Sequence, residues 1–254
     1  MIRELTLEEW FLAYQLDYIE KNYSHISGFW EIDLSRLCSH FDEDPNNIPF
    51  TSLLIKACSL WQRECPTINR QMFRTPLGLR LYTCESRSVN VPALLTFEGR
   101  PYLSVLSVKN PDQKTLSEIQ HELKQFTSTD PKSLPIGRFL AGKKNNLFNR
   151  LRLKLIHRLV NRLPQLSSKM QAGTISVSSL LSASQQNADV LFMAKGPGAM
   201  SLTLCGVDVE RRKLKVGFSW DHATSNGYEA VSASKTFCMM MQGDLPELFQ
   251  ELVS

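Results

Sequence analysis

Residues 218–227, Phe-Ser-Trp-Asp-His-Ala-Thr-Ser-Asn-Gly, join a strand pattern to a helix pattern. From Leu214 to Trp220, apolar side chains alternate with polar or small ones, which is typical of a half-buried strand. The Thr-Ser-Asn-Gly segment suits the entry to a helix, whose predicted apolar face comprises Tyr228, Val231, Phe237, Cys238 and Met241. The stretch therefore predicts a strand, a turn that carries His222, and a helix. His222 then lies at a strand end, where side chains meet ligands.

Length and composition predict one large globular domain. The chain has 254 residues, of which 43% are hydrophobic, and this is enough for a substantial core. The N-terminus carries acidic residues where a signal peptide would be basic and then apolar, and no apolar run approaches the roughly 20 residues that a bilayer span needs. We therefore expect a soluble cytoplasmic protein. The six cysteines show no paired C-x-x-C spacing, so we expect buried free thiols and no metal site.

The charge is unevenly distributed, because residues 131–188 contain ten Lys or Arg and no Asp or Glu. Within this segment the spacing predicts a helix that ends at Pro164. Its predicted apolar face, which we expect to pack on the core, comprises Phe148, Leu151, Leu155, Ile156, Leu159, Val160 and Leu163. Its opposite, basic face comprises Arg150, Lys154, His157, Arg158 and Asn161. That face is either simply solvated or a dock for an anionic partner or a membrane surface.

The remaining patterns predict strands interspersed with helices. Capping boxes open helices at residues 6–9 and 115–118, and a further helix runs from Pro49 to Pro66. Strands are predicted at residues 29–33, 79–84, 89–97, 102–108, 174–180, 190–194, 200–209 and 214–220. Strict βαβ alternation is absent and several strands are joined by short turns. The pattern therefore favours an α/β fold with a mixed sheet covered by helices. No glycine-rich phosphate loop, Rossmann fingerprint or G-x-S-x-G motif is present.

Three motifs resemble the acyltransferase cores of 2-oxoacid dehydrogenase complexes. Residues 173–180, Gly-Thr-Ile-Ser-Val-Ser-Ser-Leu, are similar to the family's G-T-F-T-I-S-N-L strand, and residues 221–227 to its D-H-R-x-x-D-G. Residues 49–69 are similar to a helix of that core that ends in a Pro-x-x-Asn turn. The wider superfamily includes chloramphenicol acetyltransferase, whose signature is H-H-x-x-x-D-G. The matching order extends from about residue 26 to residue 241, although the basic helix and residues 180–206 align poorly.

The resemblance implies a fold, an assembly and a chemistry. The fold would be a two-layer α/β sandwich of the CoA-dependent acyltransferase type, and the assembly a homotrimer with active sites between subunits. His222 would be the general base that takes a proton from a thiol, hydroxyl or amine acceptor. Ser178 of the neighbouring subunit would donate a hydrogen bond to the oxyanion. Asp221, Asn226 and Gly227 would support the site.

Two positions depart from the family pattern. Asn226 stands where the family has an acidic residue, and Ala223 stands where it has an arginine. Asn226 retains hydrogen-bonding capacity but carries no charge. A catalytically silent trimeric scaffold or binding protein with a degenerate active site is therefore the alternative to an active enzyme.

Taken individually, these residues also have ordinary structural interpretations. A histidine at a strand end is often only a hydrogen-bonded polar residue, and Ser178 could be an ordinary strand serine. Asp221 is expected to be structural, and Trp220 with Met239, Met240 and Met241 to lie in the core or in a subunit contact. The other histidines, which have no convergent partners and which we expect at the surface or in caps, are His25, His40, His121 and His157.

The domain organisation narrows the expected substrate. We expect one acyltransferase-like domain over residues 1–254, with an N-terminal helical extension at 1–25 and a basic helical insertion at 131–170. No lipoyl-bearing domain precedes residue 26, so the acyl donor would be a diffusible thioester, either acyl-CoA or an acyl carrier protein with its phosphopantetheine arm. No permanently bound cofactor is expected. Arg150, Lys154 and Arg158 are candidate contacts for the donor's phosphates. A peripheral membrane contact is a weaker alternative, and nucleic acid is not expected.

Overall fold

The computed structural model describes residues 4–75, 78–134, 137–163, 166–167, 173–179, 193 and 198–254. In chain order the strands are β1 (His25–Asp33), β2 (Arg70–Thr75), β3 (Gly78–Thr83), β4 (Ser88–Phe97), β5 (Arg100–Lys109), β6 (Ile175–Ser179), β7 (Met200–Asp208) and β8 (Lys213–Asp221). The helices are α1 (Leu7–Asn22), α2 (Ser35–His40), α3 (Phe50–Glu64), α4 (Leu116–Thr127), α5 (Gly137–Leu140), α6 (Leu147–Val160), α7 (Gly227–Gln242) and α8 (Pro246–Val253).

A six-stranded mixed sheet organises the fold, in the order β1-β8-β7-β6-β4-β5. The pairs β1/β8, β7/β8 and β4/β5 are antiparallel, whereas β6 is parallel to both β4 and β7. Strands β2 and β3 form a separate antiparallel hairpin. The predicted mixed sheet covered by helices is therefore confirmed. The predicted strand at residues 190–194 and the end of the predicted strand at Leu180 lie outside the described residues, apart from Met193.

One face of the sheet packs on the helices. Alternate residues of β6, β7 and β8, such as Ile175, Leu202 and Val216, are fully buried in a core shared with α3, α4, α7 and α8. Helix α3 lies at the centre of this layer, so that its polar side chains are buried as well as its apolar ones. The indole Nε1 of Trp61 donates a hydrogen bond to the carbonyl oxygen of Ala233, 2.7 Å away. This bond joins α3 to α7 in the interior.

The sequence signals for helix starts are confirmed. Both predicted capping boxes are present, at Thr6 with Glu9 and at Thr115 with Glu118. In each box the threonine hydroxyl accepts from the backbone N–H of the glutamate, and the glutamate side chain accepts from the threonine N–H. Each box thus satisfies two N–H groups that lack an acceptor inside the helix. The helices α2 and α8 and the strand β2 are present in addition to the predicted elements.

The orientation of α6 is the reverse of the prediction. Leu153, His157 and Val160 are its buried residues, and Leu153 and His157 pack on α1. Most of the face that was predicted to be buried is exposed: Phe148 is 73% exposed, Leu151 55%, Leu155 59%, Leu159 41% and Leu163 49%. The prediction that His157 lies at the surface is likewise wrong, because only 5% of it is accessible.

Aromatic side chains of α1 explain this orientation. The rings of Phe11, Tyr14 and Tyr18 pack edge-on around the imidazole of His157. The guanidinium of Arg150 lies 5.4 Å from the ring centroid of Trp10, and the ammonium of Lys154 lies 5.8 Å from it. Cations that stack on aromatic rings bury their apolar stems while remaining partly hydrated. The basic side of α6 can therefore pack on α1 without leaving buried unpaired charges.

The predicted apolar face of α7 is also partly wrong. Tyr228 is 84% exposed and Val231 68% exposed, whereas Phe237 and Met241 are fully buried as expected. Ala230 and Ala233 are buried at the start of the helix instead. Small side chains allow the first turns of α7 to approach α3 closely, and the larger residues turn outward.

Candidate functional site

The His222 turn follows directly on β8. The backbone N–H of His222 donates to the carbonyl oxygen of Ser24, 2.8 Å away, which ties the turn to the segment before β1. The side chain is exposed, and Nδ1 lies 3.1 Å from the carbonyl oxygen of Ser225. A carbonyl oxygen can only accept, so this hydrogen bond requires the proton on Nδ1. The neutral ring then presents Nε2 with a free lone pair, as a general base requires.

Asp221 stabilises the turn rather than facing a substrate. It is 1% exposed, and its Oδ1 accepts from the N–H groups of Ser24 at 3.0 Å and Ala223 at 3.2 Å. Its carbonyl oxygen accepts from the hydroxyl of Thr224 at 2.8 Å. The side chain therefore fixes the backbone on both sides of His222.

Asn226 is the N-cap of α7. Its Oδ1 accepts from the N–H of Glu229 at 2.9 Å, and its own N–H donates to the Glu229 carboxylate at 3.2 Å. Glu229 also forms an ion pair with Arg70, 3.3 Å away. Because Asn and Asp are about equally good at an N-cap, the uncharged Asn226 caps α7 as an aspartate would. Gly227 is the first residue of the helix.

Ser178 lies on the face of the sheet opposite the helices. Its neighbours Ile175 and Val177 are buried in the core, so the alternation of β6 directs Ser176 and Ser178 to the other side. Ser178 is half-buried and pairs in register with Thr203 of β7.

A row of polar residues crosses all six strands next to Ser178. Its members, in sheet order, are Ser27, Ser219, Ser201, Ser176, Asn90 and Ser107. Three of its buried polar atoms, Ser219 Oγ, Asn90 Oδ1 and Ser107 Oγ, have no hydrogen-bond partner among the described residues. A buried hydroxyl without a partner costs about 1–3 kcal/mol, so packing alone does not explain a polar face of this kind.

The strand register separates Ser178 from His222 within one chain. Ser178 is level with Gly217 of β8, five residues before His222, and β6 is two strands away from β8. At about 3.3 Å per residue and 4.8 Å per strand, their Cα atoms lie roughly 19 Å apart. Side chains cannot bridge this distance. A site that uses both residues therefore needs His222 from one chain and Ser178 from another.

The Pro-x-x-Asn turn contacts the strand that carries Ser178. Oδ1 of Asn69 accepts hydrogen bonds from Thr174 Oγ1 at 2.6 Å and from Gln62 Nε2 at 3.1 Å. Nδ2 of Asn69 donates to the carbonyl oxygens of Cys84 and Ser86. Two of the three motifs that carry the resemblance thus meet in the interior, just before the start of β6.

The environments of the cysteines do not favour a nucleophilic thiolate. All six are free, and Cys38, Cys58 and Cys205 are buried. Burial raises the pKa of Cys84 and of Cys238 to about 11, which keeps both as thiols near neutral pH. Among the described residues, no group of three or more His, Cys, Asp or Glu side chains could hold a metal ion.

The three predicted contacts for the donor's phosphates all lie on α6. No hydrogen bond or ion pair between described residues joins Arg150, Lys154 or Arg158 to His222 or Ser178, and Arg158 is exposed. A cavity of about 510 Å³ is lined by the first residues of α3, by Lys124 and by Val207 and Val209 at the far end of β7. This cavity is at the opposite end of the strands from His222.

Two features of this region could not be predicted from the sequence. Ser24 supports both His222 and Asp221, but its position follows from the pairing of His25 with Asp221 across β1 and β8. Tyr228 and Val231 expose apolar surface one turn after Asn226, and a helical period alone does not distinguish such residues from buried ones.

Comparisons with known proteins show which solved structures have a similar fold. No protein-family model matches the chain, and no curated protein sequence matches it. The structure is similar to that of the dihydrolipoamide acetyltransferase of Azotobacter vinelandii, with a TM-score of 0.63 and 18% identity, over 98% of this chain and 94% of the other. For that enzyme, the catalytic roles of a serine, a histidine and an asparagine have been examined, and the asparagine follows the histidine by four positions.

Two further structures match over nearly their whole length. The cubic core of a pyruvate dehydrogenase multienzyme complex has a TM-score of 0.63 and 19% identity, over 98% of this chain and 94% of the other. The truncated catalytic core of the 2-oxoacid dehydrogenase complex of Thermoplasma acidophilum has a TM-score of 0.63 and 13% identity, over 95% of this chain and 98% of the other. The chain therefore has the fold of the acyltransferase cores of 2-oxoacid dehydrogenase complexes.

Proposed function

We propose that this chain, which has an acyltransferase-core fold, transfers an acyl group from a thioester donor to a hydroxyl, amine or thiol acceptor, with His222 as the general base. The observation that carries the proposal is the hydrogen bond from His222 Nδ1 to the carbonyl oxygen of Ser225. It holds the ring in the tautomer that leaves Nε2 free, on an exposed side chain that a substrate can reach.

The reaction proceeds by direct transfer. Nε2 of His222 takes the proton of the acceptor as the acceptor's sulfur, oxygen or nitrogen attacks the thioester carbonyl carbon. The carbonyl oxygen becomes an oxyanion, to which Ser178 of a second copy donates its hydroxyl hydrogen. The tetrahedral intermediate collapses, the carbon–sulfur bond breaks, and the imidazolium returns the proton to the leaving thiolate. The nucleophile belongs to the substrate, which agrees with cysteines that remain protonated.

We place the active site between copies of the chain, in a homotrimer. The roughly 19 Å between the Cα atoms of Ser178 and His222 in one chain supports this arrangement. Ser178 is only half-buried and lies on the side of the sheet away from the helices, which supports this face as the one that meets a second copy. The similar structures include the core of a multienzyme complex, which is itself an assembly.

The asparagine at position 226 is compatible with activity. Asn226 follows His222 by four positions, which is the spacing of the asparagine and histidine examined in the Azotobacter enzyme. In this chain Asn226 caps α7 and so fixes the start of the helix next to the histidine turn. We propose that its contribution to the reaction is to position this turn.

The proposed donor is the thioester of coenzyme A or of an acyl carrier protein. A panel of acyl-CoA and acyl-carrier donors, each offered with thiol, hydroxyl and amine acceptors, tests the proposal. We expect turnover by the wild type with at least one pair and a loss of about 10²–10⁴-fold in His222→Ala. His121→Ala, which removes another exposed histidine, is the matched control and should retain full activity. Equal rates for wild type and His222→Ala would overturn the assignment of the base.

A catalytically silent scaffold is the second candidate, and Ala223 in place of arginine favours it. Asn226→Asp distinguishes the two, because aspartate keeps the cap and adds a charge next to the His222 turn. A changed transfer rate with unchanged thermal stability indicates an enzyme. A well-folded assembly that transfers no acyl group from any donor, in either form, indicates a scaffold.

A further inference from the structure

Helix α6 presents an apolar and basic face to solvent. Successive residues of an α-helix are 100° apart, which places the buried Leu153, His157 and Val160 on one side. The centre of the opposite side carries five exposed apolar residues: Leu147, Phe148, Leu151, Leu155 and Leu159. Exposed fractions between 41% and 73% for five large side chains on one helix are unusual on a protein surface and mark an interaction site.

Arginines are interspersed with this apolar surface. Arg152, Arg158 and Arg162 are exposed and lie within or beside the same side of the helix, and Lys143 and Lys144 are exposed just before it. None of these five cations forms an ion pair with an acidic side chain in the described part of the chain. The surrounding residues 131–188 contain no acid at all. The face is therefore both apolar and strongly positive.

We propose that this face of α6 docks on an anionic phospholipid surface. A helix that lies in the headgroup region buries its apolar side chains at the boundary with the acyl chains. Arginine side chains at its flanks can extend to the phosphates, because their long stems remain in apolar surroundings while the guanidinium reaches water. Among the described residues, no helix is a candidate membrane span. The 14 residues of α6 give a contact about 21 Å long.

The buried side of α6 makes this surface rigid before it binds. His157 and Leu153 are enclosed by α1, and the cation–ring contacts of Arg150 and Lys154 hold the same side. A preformed helix does not lose the conformational entropy that a disordered segment loses when it folds on a membrane. Docking on a membrane does not require the proposed acyl transfer, and vesicle binding is measured separately from it.

The positive charge of the exposed α6 face favours a lipid surface over a second copy of the chain as its binding partner. If two α6 helices packed face to face around a two-fold axis, Arg152, Arg158 and Arg162 of each copy would meet the same residues of the other. No acidic residue between 131 and 188 could separate them. Like charges opposed in this way are unfavourable, whereas phosphatidylglycerol or phosphatidylserine supplies the missing negative charge.

Flotation with phospholipid vesicles tests the proposal on the full-length protein. Wild type should float with vesicles of phosphatidylcholine mixed with phosphatidylglycerol, should bind vesicles of phosphatidylcholine alone far more weakly, and should be released by high salt. Arg152→Gln/Arg158→Gln/Arg162→Gln should lower the partition coefficient by about a hundredfold, since each basic residue near an anionic surface contributes about fivefold. Leu151→Gln/Leu155→Gln should lower it by roughly tenfold or more.

Matched variants elsewhere on the surface serve as controls. Arg80→Gln/Arg211→Gln/Lys235→Gln removes the same charge from other exposed positions, and Leu79→Gln/Leu81→Gln removes exposed leucines from the β2–β3 hairpin. Both should bind vesicles like the wild type, and circular dichroism should show that every variant is folded. The proposal is overturned if the wild type does not bind anionic vesicles or if the α6 variants bind as well as the controls. It is also overturned if the leucine pair changes only the oligomeric state, which would assign the face to a second copy.

Discussion

The carbonyl oxygen of Ser225 lies 3.1 Å from Nδ1 of His222 and thereby fixes which ring nitrogen is free. The amide nitrogen of asparagine occupies nearly the same place as Nδ1 but offers no base where Nε2 stands. We therefore expect His222→Asn to retain the turn and to lower kcat by about 10²–10⁴-fold with little change in KM. Steady-state kinetics with thermal unfolding as the folding control checks this, and full activity in His222→Asn would show that the histidine only supports the turn.

Complementation tests whether the site lies between two copies. We expect Ser178→Ala to lose about 10²–10³-fold in rate, because one donor to the oxyanion is removed. Ser179→Ala, whose side chain points to the other face of β6, is its control. When Ser178→Ala and His222→Asn chains are mixed during refolding, about one quarter of the sites in a cyclic assembly should combine both intact residues. The mixture should then regain about that share of the activity. No recovery would mean that both residues act within one chain, contrary to the register.

Asn69 should be important for stability. Its amide makes hydrogen bonds to Thr174, Gln62 and the backbone of the segment before β4, and only 2% of the residue is accessible. Asn69→Ala leaves these buried groups without partners and should cost roughly 2–4 kcal/mol of unfolding free energy. Thr174→Val should cost less, and the double variant should show a coupling of about 0.5–3 kcal/mol. Urea unfolding of the wild type, the two single variants and the double variant measures these free energies. Strictly additive losses would rule out the coupling.

His157 should make the fold sensitive to mild acid. Burial among the rings of α1 lowers its pKa from 6.5 to about 4. Below pH 6.5 the unfolded chain binds a proton at this position and the folded chain does not, so stability falls until the pH reaches about 4. The loss amounts to roughly 3 kcal/mol. His157→Leu should show a flatter dependence between these pH values, measured as the difference in unfolding free energy from wild type. Parallel curves for the two proteins would contradict the prediction.

The order of elements could be predicted from the sequence because its signals are local. Capping boxes, alternating strands and the prolines that end helices each depend on a few neighbouring residues, as at Thr6 and Thr115. The histidine turn, too, was visible as a strand followed by a helix entry. By contrast, the support of that turn by Ser24 arises from pairing between β1 and β8, which are distant in sequence.

The two errors of orientation share a physical cause. An apolar stripe on a helix predicts a buried side only if the core is its sole partner. For α6 the partner is α1. Arg150 lies over the ring of Trp10 and Lys154 over the ring of Tyr14, so the basic side is the one that packs. For α7 the close contact with α3 favours Ala230 and Ala233 over the larger Tyr228 and Val231. In both cases the neighbouring helix determines which side is buried. A local sequence pattern does not reveal which helix that neighbour is.

The strand β6 connects two parts of the central sheet. It is five residues long and joins the β4–β5 hairpin to the β1, β8 and β7 strands. Within the described residues, its pairing with β4 consists of Val89 with Ile175 and Asn90 with Ser176. Contacts between residues so far apart in sequence carry a loop-closure entropy cost, which makes such pairings slow to form. Ser178 therefore lies on the strand that joins the two parts of the sheet. A substitution that loosens this junction would therefore shift Ser178 as well as separate the two parts of the sheet.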